Sequence, residues 1–229
     1  MKKDQVIALD GPSGSGKSTV AKLVAQKKGF TYIDTGSMFR SVGHVLSQAG
    51  INFSENPVDE SIIAKFFAEN LFEYAPRPGV LITFNDNDLT KVIREHHVSK
   101  LASQVSKLKV VRDFLASWQR RIVEDREAIL DGRDIGTVIF PNARLKIFLT
   151  ASSHERATRR FEELKSRGEP NINFETVLKD IEDRDFEDMN RKIAPLKKAE
   201  DAIELDTTGK KIDDIVLEIV ELWEKSKKA

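Results

Sequence analysis

The stretch ALDGPSGSGKSTVAKLVA, Ala8 to Ala25, decides how the rest of the chain is read. Within it, Gly11-Pro12-Ser13-Gly14-Ser15-Gly16-Lys17-Ser18 meets the pattern G-x-x-x-x-G-K-[ST] without mismatch, and Thr19 follows directly. Glycines let successive backbone N–H groups turn inward as a nest, and a helix opening near Lys17 adds its positive N-terminal end. Lys17 can reach the β and γ phosphates of a nucleotide, and the Ser18 hydroxyl can ligate Mg²⁺. A Gly/Ser-rich turn can match such a pattern by chance. Here Val6 to Asp10 reads as a short buried strand before the loop, and Val20, Leu23 and Val24 recur at helical spacing after it. That context selects the phosphate-binding loop.

The whole chain narrows the classes around this loop. A length of 229 residues suits one large domain, or a core with small inserted subdomains. Lys+Arg and Asp+Glu balance at 37 each, so no global field draws the protein to nucleic acid or to a membrane. Any affinity for anions must come from local clusters of arginine. There is no cysteine, which excludes disulfides, thiolate metal sites and a cysteine nucleophile. No run approaches the roughly 18 apolar residues of a membrane span, and the start has no signal-peptide pattern. A cytoplasmic location is the expectation.

Strand and helix patterns alternate along much of the chain. Phe30 to Gly36 reads as a strand leading into a turn, with a helix from about Met38 to Gln48. Leu108, Val111, Leu115, Trp118 and Ile122 share one face of a long helix. Ala128–Gly132 and Leu145–Thr150 read as buried strands. An arginine-rich helix, a loop around Gly168 and a helix from about Phe174 to Asn190 follow. Ala202–Thr208 is a last strand, and Ile212–Trp223 a closing amphipathic helix. This alternation predicts an α/β fold, a parallel sheet with helices on both faces. Residues 51–93 differ in texture: a helical piece around Ile62 to Glu69 precedes two or three β runs punctuated by Pro-Arg-Pro-Gly and Asn-Asp-Asn. They read as a small sheet-bearing insertion.

A phosphate loop alone does not separate a switch, a motor and a kinase. The N/T-K-x-D segment of guanine-reading GTPases is absent from the sequence. Asp131 ends the strand AILDG, where its carboxylate can hold Mg²⁺ through water or cap the next loop; the sequence leaves both open. Arginines stand where structure does not require them. Arg40 follows a strand–helix turn, Arg112 lies beside an apolar helix face, and Arg133 and Asp134 occupy a glycine-flanked loop at a strand end. In the helix FETVLKDIEDRDFEDMNRKIAPL, Val177, Ile181, Arg184, Asp188 and Arg191 share one stripe. The stripe begins apolar and turns charged halfway, as a face running out of core into a cleft would. Surface pairing would be worth only a few tenths of a kcal/mol, and Arg before Asp is the less favourable order. Arg156, Arg159, Arg160 and Arg167 flank a Gly-containing loop, and a mobile arginine-bearing flap there would stabilise a migrating phosphoryl group. Glu155, Glu162 and Glu163 make a merely solvated helix face the alternative.

Together these segments resemble the bacterial cytidylate (CMP) kinase family of nucleoside monophosphate kinases. The likeness covers nearly the whole chain: IALDGPSGSGKST, YIDTGSMFR, ASQV…VR, ILDGRDIGTVIFP, KIFLTAS…ERATRR, RDFEDMNRKIAPL and DAIELDTT, in that order. The resemblance implies ATP + (d)CMP giving ADP + (d)CDP with Mg²⁺, by a monomer acting in pyrimidine nucleotide metabolism. It implies one P-loop kinase domain over 1–229, with a monophosphate-binding insertion at 51–93 and a short lid at 153–171. Residues 11–19 then bind ATP. Thr35, Arg112 and Asp134 correspond to contacts around the cytosine ring, and Ser103, Arg184 and Asp188 to sugar contacts. Arg40, Arg133 and Arg191 correspond to clamps for the acceptor phosphate or the base beside it. Lys17, Arg133, Arg156, Arg160 and Arg191 supply charge for transfer, and Ser18 and Asp131 hold the metal. A carboxylate such as Asp134 accepts from the exocyclic amine of cytosine, where uracil presents an acceptor. Phe39 and Ser37 depart from the tyrosine and alanine common at those places. A kinase for another acceptor, a nucleotide sensor and an RNA-binding protein are the alternatives. The last is disfavoured by zero net charge and the lack of interleaved basic and aromatic residues.

Overall fold

A computed structural model describes residues 4–51, 58–75, 77–166, 168–169 and 172–227. In chain order the elements are β1 (Asp4–Asp10), α1 (Lys17–Lys28), β2 (Thr31–Asp34), α2 (Thr35–Gln48), α3 (Glu60–Glu69), β3 (Phe72–Tyr74), β4 (Ile82–Phe84) and β5 (Asn87–Asp88). They continue with α4 (His96–Val105), α5 (Lys109–Val123), β6 (Ala128–Gly132), β7 (Ala143–Thr150), α6 (Ser153–Ser166), α7 (Phe174–Asn190), β8 (Ile203–Asp206) and α8 (Ile212–Ser226). A 3₁₀ turn spans Val92–Arg94 and a π-helical turn Ile135–Ile139. Residues 52–57 and 76 of the expected insertion, and Arg167, Pro170 and Asn171 of the expected lid, lie outside the described residues.

The chain divides into two compact units, Met1–Ile33 with Asp125–Ala229, and Asp34–Glu124. A five-stranded sheet runs in the order β2-β6-β1-β7-β8, and β1 pairs parallel with both β6 and β7, as β7 does with β8. Parallel strands are buried on both faces, which explains the unbroken apolar run Val6–Leu9, all 0% exposed. The core joins Ile7, Leu9, Ile129, Ile147 and Leu149 of the sheet to Val20, Ala21 and Val24 of α1 and Ile215, Ile219 and Trp223 of α8. Phe30 meets Trp223 edge to face at 5.2 Å. A second, smaller cluster packs α6 on α7 through Ala157, Leu164, Val177 and Ile181. The parallel arrangement gathers the carboxyl ends of β1, β6, β7 and β8 along one edge. Open α/β sheets bind ligands at that edge.

In the unit Asp34–Glu124, β3, β4 and β5 form an antiparallel three-stranded sheet. Aromatic rings fasten it to helices: Phe67 stacks on Phe114 at 4.1 Å, Phe66 on Phe84 at 5.7 Å, and Phe72 lies 5.8 Å from Trp118. The insertion read from the texture of 51–93 thus shares its core with α5, outside its sequence limits.

Three local readings need correction. α2 begins at Thr35, not near Met38, because Asp34 caps it by accepting the Ser37 N–H at 2.8 Å. α4 went unread, although Val98, Ala102 and Val105, all buried, recur at helical spacing. The loop after Asp134 closes into a π-helical turn, a form with no periodic signature in so short a stretch.

Candidate active site

The phosphate loop leaves β1 at Asp10 and enters α1 at Lys17. Gly14 needs its glycine: its φ is +75°, and a Cβ there would press within 3.0 Å of the Arg156 Cβ. Lys17 is buried, with Nζ donating to the Pro12 carbonyl at 2.5 Å and the Ser15 hydroxyl at 3.2 Å. Burial and then the Arg133 guanidinium pull the Lys17 ammonium well below the usual lysine range, with Arg184 adding to them and Asp131 and Asp10 opposing. An anion brought to this loop therefore meets a cation short of counter-charge.

Beside the loop, the Ser18 hydroxyl donates to Asp131 Oδ2 at 2.6 Å, and the Tyr32 hydroxyl donates to Oδ1 at 3.0 Å. Among the described residues, no group of three or more His, Asp or Glu side chains could hold a metal ion. One hydroxyl and one carboxylate at a phosphate loop still fit Mg²⁺, which takes few protein ligands and draws the rest from phosphates and water. The crest of the loop is held by residues from two helices. Arg156 Nη1 donates to the Ser13 carbonyl at 2.9 Å and to Asp185 Oδ2 at 2.5 Å, and Asp185 Oδ1 accepts the Ser13 N–H at 3.3 Å.

The charged half of α7 meets the loop after β6. Arg133 Nε donates to Asp188 Oδ2 at 2.8 Å. Arg191 reaches Asp188 Oδ1 and Asp134 Oδ1, both at 3.5 Å. Burial alone would raise the Asp188 carboxyl, but Arg133, Arg184 and Arg191 together outweigh it and hold it below the usual carboxylate range. Arg133, Asp134, Arg184, Asp188 and Arg191 thus form one charged cluster, and Arg133 and Arg184 act electrostatically on Lys17.

The arginines of the expected lid diverge. Arg156 is buried against the phosphate loop, whereas Arg160 pairs with Glu163 at 2.8 Å along the outer side of α6. Arg159 donates to the Thr207 hydroxyl at 3.0 Å and to its carbonyl at 2.9 Å, and that hydroxyl donates to the Ser15 carbonyl at 3.4 Å. A one-turn spacing along a helix could not distinguish these fates, because the three side chains face different neighbours.

In the unit Asp34–Glu124, Thr35 opens α2 and is buried. Arg40 lies 3.3 Å from Asp34 Oδ2. Arg112 is buried, donates to the Ser106 carbonyl at 3.1 Å, and has its guanidinium 5.5 Å from the centroid of the Phe39 ring. The Ser103 carbonyl accepts from the Ser106 hydroxyl at 2.8 Å. Phe39, noted as a departure, therefore supplies an aromatic face to Arg112.

Sequence reasoning passed over Asp10, Asp34, Asp185 and Thr207. Asp34 carried a signal, an Asp three residues before Ser37 at a strand–helix junction. Asp10, Asp185 and Thr207 carried none, since their partners lie at least 29 residues away, beyond any local pattern.

The chain matches the family model described as cytidylate kinase over residues 7–225. A cytidylate kinase of Fusobacterium nucleatum is 44% identical, covering 97% of this chain and 98% of its own. Cytidylate kinases of Carboxydothermus hydrogenoformans and Streptococcus uberis are 43% and 45% identical, covering 94% and 96% of this chain and 96% of each relative. The segments that suggested the family in the sequence lie within the matched span, and the chain belongs to the cytidylate kinase family.

Proposed function

We infer that the protein transfers the terminal phosphoryl group of ATP to CMP or dCMP, giving ADP and CDP or dCDP. The observation that carries this reading is electrostatic. Arg133 of the β6 loop and Arg184 of α7 act on Lys17 of the phosphate loop, which supports one locus offering charge to both a donor and an acceptor phosphate. Phosphoryl transfer asks the protein for positioning and for charge stabilisation around a migrating, in-line phosphoryl group. Residues 11–19 hold the ATP phosphates, and Lys17 balances the charge that grows between β and γ. Ser18 and Asp131 would hold Mg²⁺ brought with ATP, which would supply positive charge against the phosphate oxygens.

The acceptor phosphate is already ionised near neutrality, so no committed general base is required. Arg133 and Arg191 are assigned to hold it or the base beside it, and Arg184 and Asp188 the sugar. Asp134 accepts from the exocyclic amine of cytosine and repels the carbonyl of uracil. From the unit Asp34–Glu124, Thr35, Arg40, Ser103 and Arg112 carry the acceptor contacts that the family pattern assigns them. Within that unit, residues 51–93 form the monophosphate-binding region. Residues 153–171 form the lid, with Arg156 and Arg160 as its charge donors. A monomer working in the cytoplasm, without nucleic acid or membrane partners, completes the reading.

Replacing Lys17 by alanine tests the locus. Turnover with ATP and CMP is expected to fall about 10²–10³-fold, with the fold retained by circular dichroism. Unchanged turnover would overturn transfer at this loop.

A further inference from the structure

Asp10 closes β1 immediately before the phosphate loop, and its side chain is buried. Oδ1 accepts the N–H of Ile135 at 2.8 Å and Oδ2 the N–H of Gly136 at 2.7 Å. Those two N–H groups open the π-helical turn Ile135–Ile139, which starts at the residue after Asp134. A carboxylate that spends both oxygens on consecutive main-chain donors fixes the turn in position and in rotation; a single bond would leave it free to swivel. Gly136 leaves room for the stem of Lys146 beside the turn. A Cβ there would lie 3.1 Å from the buried stem of Lys146 and 3.4 Å from Asp10 Oδ2. From the other side, Arg133 is held by Asp188 and Asp134 by Arg191. The segment carrying Arg133 and Asp134 is thus pinned between α7 and the end of β1.

We propose that Asp10 is a positioning residue for the acceptor nucleotide, setting Arg133 and Asp134 at a fixed distance from the phosphate loop that begins one residue later. This rests on the acceptor roles inferred above for Arg133 and Asp134. Although burial pushes the Asp10 carboxyl up to about 6, the two N–H bonds oppose that rise, and at neutral pH both oxygens accept. An asparagine in its place offers one acceptor and turns an NH₂ against a main-chain N–H. The turn, and with it the acceptor groups, should shift while the glycine-built phosphate nest keeps its own geometry.

The test compares wild type with Asp10→Asn, titrating CMP without ATP and, separately, Mg·ATP without acceptor, by calorimetry. The CMP dissociation constant is expected to rise about tenfold or more, the effect of one buried donor left unpaired, with ATP affinity changed less than about threefold. In steady state, KM for CMP should rise more than kcat falls. Gly136→Ala is the second variant. It keeps the carboxylate and crowds the turn against the Lys146 stem, and it should give the same split even if Asp10→Asn folds poorly. Equal weakening of both nucleotides, or no weakening of CMP, would overturn the role of Asp10. Wild-type protein that does not bind CMP would overturn the function itself, and the acceptor assignment with it.

Discussion

Two carboxylates near the phosphate loop are driven in opposite directions. Asp10 is pushed up to about 6 by burial, against the pull of two N–H groups and Lys17, with Asp134 adding to the rise. Asp188 is held below its ordinary 3.8 because three arginines outweigh its burial. The consequences for stability have opposite signs. Between pH 3.8 and about 6 the folded protein keeps the Asp10 proton that the unfolded chain has lost, so stability falls as pH rises through that window. Asp188 contributes stability above the unfolded value, and that contribution is lost as pH falls through its folded value. Urea denaturation at a series of pH values reads the first effect. The stability of wild type relative to Asp10→Asn should decline by about 2 kcal/mol from pH 4 to pH 7. A difference that stays flat across that range would contradict a buried, ionising Asp10. Nothing in the sequence marked Asp10 apart from other strand-end aspartates. Asp188 was marked by its place on a stripe that changes from apolar to charged.

At the scale of elements, α7 shows that change working. Val177 and Ile181 bury against Ala157 and Leu164 of α6, and one turn further on the same face presents Arg184 and Asp188, with Arg191 just past the helix end. The apolar half therefore anchors the helix that carries the charged half. Ile181→Ala should cost about 2–4 kcal/mol in urea unfolding through the cavity it leaves between the helices. A loss below about 1 kcal/mol would mean that α7 is held by its ion pairs instead. This helix was legible because helical spacing puts both halves on one face. The start of α2 was not, since a cap is set by one side chain and not by a period. In α6, burial separates Arg156 from Arg160. Arg156 seats on Ser13 and Asp185, while Arg160 stays with Glu163. Which neighbour a helix face meets depends on the packing of other elements.

At the scale of the molecule, the alternation of strands and helices was enough to foresee a parallel sheet with covered faces. The order of its strands was not legible. β6, the sixth strand in the chain, lies between β1 and β2, and this pairing joins segments more than 90 residues apart. Hydrophobic periods describe one strand at a time and say nothing about which edges meet. The small antiparallel sheet showed in its texture because three short strands with turn residues break the strand–helix rhythm. Its aromatic core could not be seen there, since Phe114 and Trp118 belong to α5. No helix among the described residues is long and apolar enough to cross a membrane. The central claim for the whole protein is the identity of the acceptor. It is tested most directly by initial rates of ADP formation from ATP and Mg²⁺ with CMP, dCMP, UMP, AMP and GMP in parallel. Fast turnover confined to CMP and dCMP, with UMP slower by at least about tenfold for the loss of one buried hydrogen bond, is the result expected. Equal or faster turnover of any other acceptor would contradict the base-reading role of Asp134, and ATP binding with no turnover of any acceptor would contradict the kinase itself.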